Sequence, residues 1–437
     1  MTIFELAYRL LGEYEASGKY VNLSLNSHIL DNVSREDKAI LTALLYKTVE
    51  NKLKYDYYIS AISKRSIDKI TPEARDAIRL GLCALLDMKS FPDYAAVNEA
   101  VKLIRHKGER SFVNGVLRSA ARQKDCLPMP DKNKNAARYY SVYYSMPLAT
   151  VKYFISSLGE EAAVSLFEAV NTHERKTTLT VNTLKISVEA FLQKLKEAGF
   201  DAEMGKYSSY SVIVSASVDP RQIPGFSDGE FFVQDEASAF SALVLGANPG
   251  ELICDVCSAP GGKSFLLGII SADKTDIRSF DLHESKISLI SSGAERLGLK
   301  SVAAAARDAT SPCEELFEKA DRVLCDVPCS GLGVLSKKPD LRYKDITSLS
   351  ALSELQLEIL FASSRYLKVG GELLYSTCTL RKEENENVVE RFLAESPDFE
   401  AVDFSVGGLE SRGGSLTLYP HIHGTDGFFI SKLRKKK

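Results

Sequence analysis

Apolar side chains recur every three or four residues through the first part of the chain, which is the spacing of amphipathic helices. Helix starts accompany this pattern. Thr2 and Glu5 form a capping-box sequence, Ser34 precedes a second apolar stripe, and Thr71 followed by Pro72 is typical of an N-cap with proline in the first turn. No strand pattern interrupts residues 1–125. We therefore predict an all-α domain over residues 1–128.

The next part of the chain mixes helical and strand patterns. Residues 126–137 are polar and contain prolines, which indicates a boundary segment. Helical spacing resumes to about residue 170. Residues 179–181 and 211–214 then have the composition of strands, with a helical pattern over 187–198 between them. These patterns predict a small segment, helical and then α+β, over residues 138–228.

Strand and helix patterns alternate from about residue 230 onwards. We expect strands at 252–256, 277–281, 323–326 and 372–376, with a weaker candidate at 302–305, and helices at 284–297, 347–366 and 383–394. Such alternation predicts a doubly wound parallel sheet. The predicted fold is therefore multidomain: an all-α N-terminal domain, a small α+β segment, and an α/β Rossmann-like domain over residues 229–437.

Composition places the chain among ordinary globular proteins. Of 437 residues, 45% are hydrophobic and 26% charged, and 55 Lys+Arg against 58 Asp+Glu give a net charge of −3. That balance excludes a uniformly basic coat for nucleic acid. No apolar run approaches the ~20 residues of a membrane helix, and the first residues lack a secretory pattern. With 8 cysteines in so long a chain, we expect a cytoplasmic protein without a disulfide framework.

Basic residues concentrate in one stretch of the predicted all-α domain. The stretch contains Lys102, Arg105, Lys107, Arg110, Arg118, Arg122 and Lys124. Two interpretations stay open from charge alone. The residues form either a solvated helix face or a surface that binds phosphates.

A glycine-containing turn follows the predicted strand at 252–256. It contains Cys257, Ser258, Ala259, Pro260, Gly261, Gly262 and Lys263. Ligands of doubly wound sheets bind at such carboxyl ends, and glycines let the backbone approach them. Asp281 ends the next strand, 19 residues after Gly262, where a carboxylate can accept ribose hydroxyl bonds or cap a helix. Asp308 follows the weak strand and could face an adenine.

Two cysteines follow later strands at the same expected edge. Cys329 comes after Asp326, and Cys378 comes after the strand at 372–376. A thiol there is either a nucleophile or an inert small hydrophobe. Cys254 and Cys257 formally make a C-x-x-C pair, as in zinc sites. Because Cys254 lies within an apolar strand, we expect no metal.

These motifs together resemble the RsmB/Sun family of 16S rRNA (cytosine-5) methyltransferases, within the wider Nol/Nop/Sun group. The resemblance covers essentially the whole chain. It rests on DVCSAPGGKS at 255–264, DVPCSGLGV at 326–334, YSTCTLRKEENE at 375–386, VQDEAS at 233–238 and GTDGFFISKL at 424–433. YAAVNEAV at 94–101 and FVNGVLR at 112–118 resemble the NusB-like RNA-binding domain of that family.

The resemblance implies S-adenosyl-L-methionine as methyl donor and 16S rRNA, or a small-subunit assembly particle, as substrate. It points to cytosine 967. It places the cofactor against 257–263, Asp281, Asp308 and Asp326. It assigns Cys378 as the nucleophile on cytosine C6 and Cys329 as the thiol that helps to release the product. Asp326 would contact the base, and Lys263 would orient Asp326 or else face solvent. We expect a monomer with no metal and no membrane partner.

Two further functions remain open at this point. The same chemistry could act on tRNA, or the chain could be a ribosome-assembly factor that binds RNA with a silent catalytic domain. The two cysteines argue against the second function, since a silent site has no chemical need of either thiol. The NusB-like motifs favour rRNA over tRNA only by analogy.

Overall fold

The computed structural model describes residues 1–17, 33–172, 176–216 and 218–437, which divide into two compact units. The first unit contains Met1–Asn171 and the short segment Lys338–Lys344. The second contains Thr172–Lys337 and Asp345–Lys437. The helices of residues 136–171 thus belong to the same unit as the N-terminal helices. No helix of the described ranges is long and apolar enough to cross a membrane.

The first unit is helical over the described residues, as predicted for the first 125. The predicted helix starts are confirmed: the Thr2 hydroxyl accepts from the Glu5 N–H at 3.2 Å, and the Thr71 hydroxyl accepts from the Ala74 N–H at 3.3 Å. The helices are α1 Ile3–Ser17, α2 Arg35–Glu50, α3 Lys52–Ser63, α4 Pro72–Leu86, α5 Asp93–Lys102, α6 Lys107–Arg122, α7 Ala136–Tyr143, α8 Leu148–Leu158 and α9 Glu160–Thr172.

A short 3₁₀ helix at Pro339–Tyr343 completes the first unit although the chain around it belongs to the second. The Arg342 side chain is fully buried. Its guanidinium donates to the Tyr144 carbonyl at 3.2 Å and to Asn171 Oδ1 at 2.8 Å, and it pairs with Glu50 at 3.2 Å. A buried charge is tolerated only with such partners. Local patterning did not predict this segment, because its partners are distant in sequence.

The second unit begins with a small antiparallel sheet. Its order is β2-β3-β1-β4, with β1 Thr177–Val181, β2 Ala202–Met204, β3 Ser211–Val214 and β4 Phe231–Val233. Helix α10, Val188–Glu197, packs on it through Phe191 and Leu195, which are fully buried with Leu179 and Val212. The strands predicted at 179–181 and 211–214 and the helix between them are confirmed. The short strands β2 and β4 carry too few residues for a periodic signal.

The strands of the large sheet are β5 Leu252–Asp255, β6 Asp276–Asp281, β7 Val302–Ala306, β8 Ala320–Asp326, β9 Leu367–Thr377, β10 Phe399–Ala401, β13 Ser415–Leu418 and β14 Phe428–Lys435. Their order is β10-β14-β9-β8-β5-β6-β7, with β13 paired to β14. Neighbours from β7 to β9 are parallel, whereas β14 joins β9 in the antiparallel direction. The sheet is therefore mixed rather than wholly parallel. Two further strands, β11 Ser405–Val406 and β12 Leu409–Glu410, form a separate pair.

Helices connect the strands of this sheet much as the alternation predicted. They are α11 Glu236–Leu245, α12 Gly262–Ile270, α13 Glu284–Leu297, α14 Ser350–Ser364, α15 Glu386–Glu395 and the single turn α16 Pro420–His423. The strand register pairs Asp326 with Ser376 and Asp281 with Ala306. The carboxyl ends of β5, β6, β8 and β9 consequently meet at one edge, which is where such sheets bind ligands.

Candidate active site at the carboxyl edge of the large sheet

The glycine turn between β5 and α12 is tightly folded. Gly261 has φ +109°, and a Cβ there would lie 2.4 Å from the Phe265 ring. The Ser258 N–H donates to the Phe280 carbonyl at 2.7 Å, and the Gly261 N–H donates to the Ser258 carbonyl at 2.7 Å. Only glycine adopts this backbone without strain. The first turn of α12 therefore begins directly at the sheet edge, with its N–H groups available to a ligand.

Asp281 lies beside this turn, as expected from its spacing. Its carboxylate accepts from the Ala259 N–H at 3.3 Å and from the His283 N–H at 3.2 Å, and it pairs with Lys286 at 3.3 Å. The N-cap of α13 is His283. The alternative interpretation of Asp281 as that helix's N-cap is therefore wrong.

Asp308 has a different environment. Its carboxylate accepts from the Thr310 N–H at 2.9 Å and the Thr310 hydroxyl at 2.7 Å, and these bonds lower the pKa of the exposed Asp308 carboxyl. It follows Ala306, the β7 partner of Asp281. The hydrogen bonds that the described residues give its side chain go to Thr310 and not to the glycine turn.

Lys263 and Asp326 form an ion pair at the centre of the edge. The Lys263 ammonium donates to Asp326 Oδ2 at 2.6 Å, and the Ser376 hydroxyl donates to Asp326 Oδ1 at 2.7 Å. The ammonium also lies 5.2 Å from the centre of the Phe428 ring. Lys263 is only 9% exposed, so its alternative interpretation as a solvent-facing residue is wrong. Both carboxylate oxygens of Asp326 therefore accept hydrogen bonds, which fix the orientation of this side chain.

The two candidate cysteines are in contact. Their Sγ atoms lie 3.1 Å apart, although 49 residues separate them in sequence. The Gly333 N–H donates to the Cys378 carbonyl at 3.0 Å, and a Cβ on Gly333 would lie 1.9 Å from the Gly427 carbonyl. The hydrogen bond to Cys378, burial and the nearby Glu384 charge raise the pKa of Cys329 well above its ordinary value. Cys329 therefore retains its proton at neutral pH.

Two consecutive buried residues, Glu384 and Asn385, hold the loops of both cysteines. Glu384 Oε2 accepts from the Ser330 N–H at 2.8 Å, next to Cys329. Asn385 accepts from the Thr377 hydroxyl at 2.5 Å and donates to the Thr379 carbonyl at 3.0 Å, on either side of Cys378. We call this pair the clamp. Because its two residues are consecutive, the clamp holds the loops of both cysteines at one point of the chain.

Behind the glycine turn lies a buried polar chain. The Ser264 hydroxyl donates to Asp255 Oδ2 at 2.6 Å, and the Ser279 hydroxyl donates to Ser264 Oγ at 2.7 Å. Asp255 is 1% exposed, and burial raises the pKa of its carboxyl from 3.8 to about 7. This chain ties the first turn of α12 to β5 and β6.

A second network of ion pairs joins two segments of the second unit through Lys337, whose side chain is 38% exposed. Lys337 pairs with Asp235 and, at 2.8 Å, with Asp426. Burial and the Asp235 charge raise the pKa of Asp426 from 3.8 to about 7. Asp235 and Asp426 belong to the sequences VQDEAS and GTDGFF. Their shared contact with Lys337 joins these two segments, which are distant in sequence.

Three family profiles match the chain. The one for 16S rRNA methyltransferase RsmB/F matches residues 242–434, the NusB family profile matches 2–122, and the Methyltr_RsmF/B-like ferredoxin-like domain profile matches 147–220. A relative from Bacillus subtilis (strain 168), called a probable ribosomal RNA small subunit methyltransferase B, is 36% identical over 100% of this chain and 99% of its own. The chain belongs to the RsmB/Sun family of small-subunit rRNA methyltransferases.

Solved structures agree with this membership. The crystal structure of PH0851 has a TM-score of 0.82 and 28% identity, covering 99% of this methyltransferase and 98% of that chain. The crystal structure of NSun6 from Pyrococcus horikoshii with SFG has a TM-score of 0.58 and 23% identity, covering 65% and 97%. The second likeness shows a common fold. The predicted fold class, with its NusB-like, small α+β and Rossmann-like parts, is confirmed.

Several residues that shape the methyltransferase site were not among the candidates from sequence. Ser376 and the clamp residues Glu384 and Asn385 all lie within YSTCTLRKEENE. Asn385 directly precedes α15, a position where Asn is common as a helix cap. Its side chain makes no cap hydrogen bond and instead reaches the loop of Cys378. The sequence does not indicate whether the Asn385 side chain caps its own helix or binds the loop of Cys378.

The described ranges contain no group of three or more His, Cys, Asp or Glu side chains placed to bind a metal ion. Cys254 of the formal C-x-x-C pair lies fully buried in β5, and burial raises its pKa to about 12. His423 Nδ1 accepts from the Tyr419 N–H at 2.8 Å. These side chains therefore serve packing and local turns.

Proposed function

We propose that this methyltransferase transfers a methyl group from S-adenosyl-L-methionine to C5 of a cytosine in 16S rRNA through a covalent Cys378–C6 adduct. The observation that carries the proposal is the contact of the Cys329 and Cys378 thiols, 3.1 Å apart, at the sheet edge that also bears the Lys263–Asp326 pair. Two neighbouring thiols suit a reaction in which one adds to the base and the other helps to remove it.

The residues of the glycine turn fit the proposed cofactor. The start of α12 lies at the sheet edge, where its N–H groups can bind a carboxylate. The Ser258 hydroxyl is buried without a hydrogen-bond partner in the described structure, and Asp281 can accept ribose hydroxyl bonds. We assign residues 257–263, Asp281, Asp308 and Asp326 to this site, with Asp308 reaching it only if its Thr310 bonds open. S-adenosyl-L-methionine supplies an electrophilic methyl group when bound.

Cytosine C5 is a weak nucleophile, and side chains of this site make it more nucleophilic. The Cys378 thiolate adds to C6, and the electron pair of the C5–C6 double bond moves towards N3. Asp326, carrying a proton, donates it to N3 and takes it back when the product forms, while Lys263 and Ser376 keep the carboxyl group oriented. C5 becomes enamine-like and accepts the methyl group. The target base must be unstacked to reach these side chains.

Product release requires loss of the C5 proton. A base takes that proton, the C5–C6 double bond forms again, and Cys378 leaves as a thiolate. We assign the base to Cys329 or to a water beside it. Because its raised pKa keeps the Cys329 proton in place, Cys329 can act as the base only after that proton has passed to water; otherwise the water beside it takes the C5 proton.

Family membership supports rRNA as the substrate. The relatives carry the name of small-subunit rRNA methyltransferase, and the NusB family profile covers the N-terminal helices. We therefore propose 16S rRNA, free or in an assembly particle, with cytosine 967 as the target by family resemblance, and a cytoplasmic location. The helical part would bind RNA by shape and phosphates.

The test is methyl transfer from labelled cofactor to small-subunit RNA from cells that lack this modification, followed by mass spectrometry. We expect label in 5-methylcytidine at one 16S site. Cys378→Ala should abolish turnover, and Cys329→Ala should accumulate a protein–RNA adduct. Cys126→Ala is the matched control, since Cys126 is exposed and outside the site. Label in tRNA alone, or turnover by Cys378→Ala, would refute the proposal.

A further inference from the structure

Helix α7 carries tyrosines on two of its faces. Tyr140 and Tyr144 point inwards and are buried. Tyr139 and Tyr143 are one helical turn apart, with rings stacked at 5.6 Å and an angle of 16°. Tyr143 is 47% exposed. We call Tyr139 and Tyr143 the tyrosine platform. It lies between residue 122, where the NusB family match ends, and residue 147, where the ferredoxin-like match begins.

Cations border both rings of the platform. Lys54 Nζ lies 5.7 Å from the centre of the Tyr143 ring. Lys132 Nζ lies 6.0 Å from the centre of the Tyr139 ring and 5.0 Å from that of the buried Tyr140. Arg138 is exposed on the same helix. Glu160 is exposed, accepts from the Tyr140 hydroxyl at 2.8 Å, and acts on Lys132 through its charge. The platform is therefore an aromatic surface with Lys54 and Lys132 at its border and with one acidic residue, Glu160, near Lys132.

We propose that the tyrosine platform binds an unstacked base of single-stranded RNA, with Lys54 and Lys132 contacting the adjacent phosphates. Aromatic faces beside cations are how proteins bind single strands without reading their sequence. A double helix would not fit, since its bases are already stacked. The inference rests on the proposed function, because that function makes RNA the partner and requires unpaired nucleotides around the target cytosine.

The test uses a fluorescently labelled uridine 12-mer and the full-length protein without cofactor, with binding followed by anisotropy. Tyr143→Leu keeps apolar area but removes the ring, and Tyr143→Phe keeps the ring. We expect Tyr143→Leu to weaken binding about tenfold and Tyr143→Phe less than twofold, in line with stacking energies. Lys54→Ala should reduce the salt dependence of binding. A 12-mer with 4-thiouridine should crosslink to the peptide that contains Tyr143.

Equal binding by wild type and Tyr143→Leu, or crosslinks confined to other peptides, would overturn the inference. If Tyr143→Leu instead loses affinity for RNA-free small-subunit proteins while binding the 12-mer normally, the occupant is a protein and the inference is wrong. Unchanged thermal unfolding of both variants is the folding control. Because the 12-mer has no cytosine, these outcomes are independent of methyl transfer, so failure here is distinguishable from failure of the proposed function.

Discussion

Removal of the Asn385 side chain tests whether the clamp positions the nucleophile. In Asn385→Ala, the Thr377 hydroxyl loses its acceptor and the Thr379 carbonyl loses its donor. Both groups are buried, so each loss costs about 1–3 kcal/mol. We expect a total of about 2–4 kcal/mol, because the loop of Cys378 relaxes in part and recovers some of this energy.

The same relaxation should slow catalysis. A nucleophile displaced by about 1 Å loses roughly a hundredfold in rate, so we expect the rate of methyl transfer to fall between about ten- and a hundredfold. Adduct formation on RNA that carries 5-fluorocytidine at the target should slow by the same factor, because that step is the addition of Cys378 to C6. Cofactor affinity should not change, since Asn385 does not contact the glycine turn.

Asn387→Ala is the matched control. Asn387 is exposed in the first turn of the same helix, two residues beyond Asn385. The control should keep wild-type stability, cofactor affinity and adduct rate. If Asn385→Ala formed the adduct at the wild-type rate, or if its cofactor affinity fell as much as its rate, then the clamp would not position Cys378 and our interpretation would be wrong.

Three other substitutions test the site at the glycine turn. Between pH 4 and 7 the folded protein keeps a proton on Asp255 that the unfolded chain has released, so the stability of the fold should decrease as pH rises through this window. Asp255→Asn should remove this pH dependence of the melting temperature. An unchanged pH dependence would contradict the burial argument. Lys263→Met leaves Asp326 without its cation and should lower kcat about a hundredfold, whereas a rate within threefold of wild type would exclude the orienting role. Gly261→Ala places a Cβ at φ +109° against Phe265 and should destabilise by about 1–3 kcal/mol and weaken cofactor binding; normal affinity by calorimetry would count against the assigned site.

Local patterns were enough to predict most elements of this chain. The strand Ser211–Val214 and the helix Glu284–Leu297 follow the predicted bounds, because burial of one face imposes a period on the sequence. The glycine turn was also visible, since a strand followed by paired glycines and a helix start is a contiguous motif. Family membership followed from several such motifs together.

Long-range partners were not visible in the pattern. β14 pairs with β9 in the antiparallel direction. An apolar run in the sequence indicates a strand but indicates neither its direction in the sheet nor the strand beside it. Arg342 is buried by groups up to 292 residues away. In the printed sequence it is one more basic residue in a polar stretch.

The sequence by itself determined which chemical groups are present and that Asp281, Asp326, Cys329 and Cys378 follow strands. Parallel strands end at a common edge, so their approximate convergence could be predicted. The tertiary structure decided which atoms touch: the 3.1 Å contact of the two thiols, the clamp that fixes it, and the turn in which Asp308 bonds to Thr310. The physical reason is that secondary structure follows local spacing, whereas hydrogen-bond partners depend on side-chain packing across segments that are far apart in the chain.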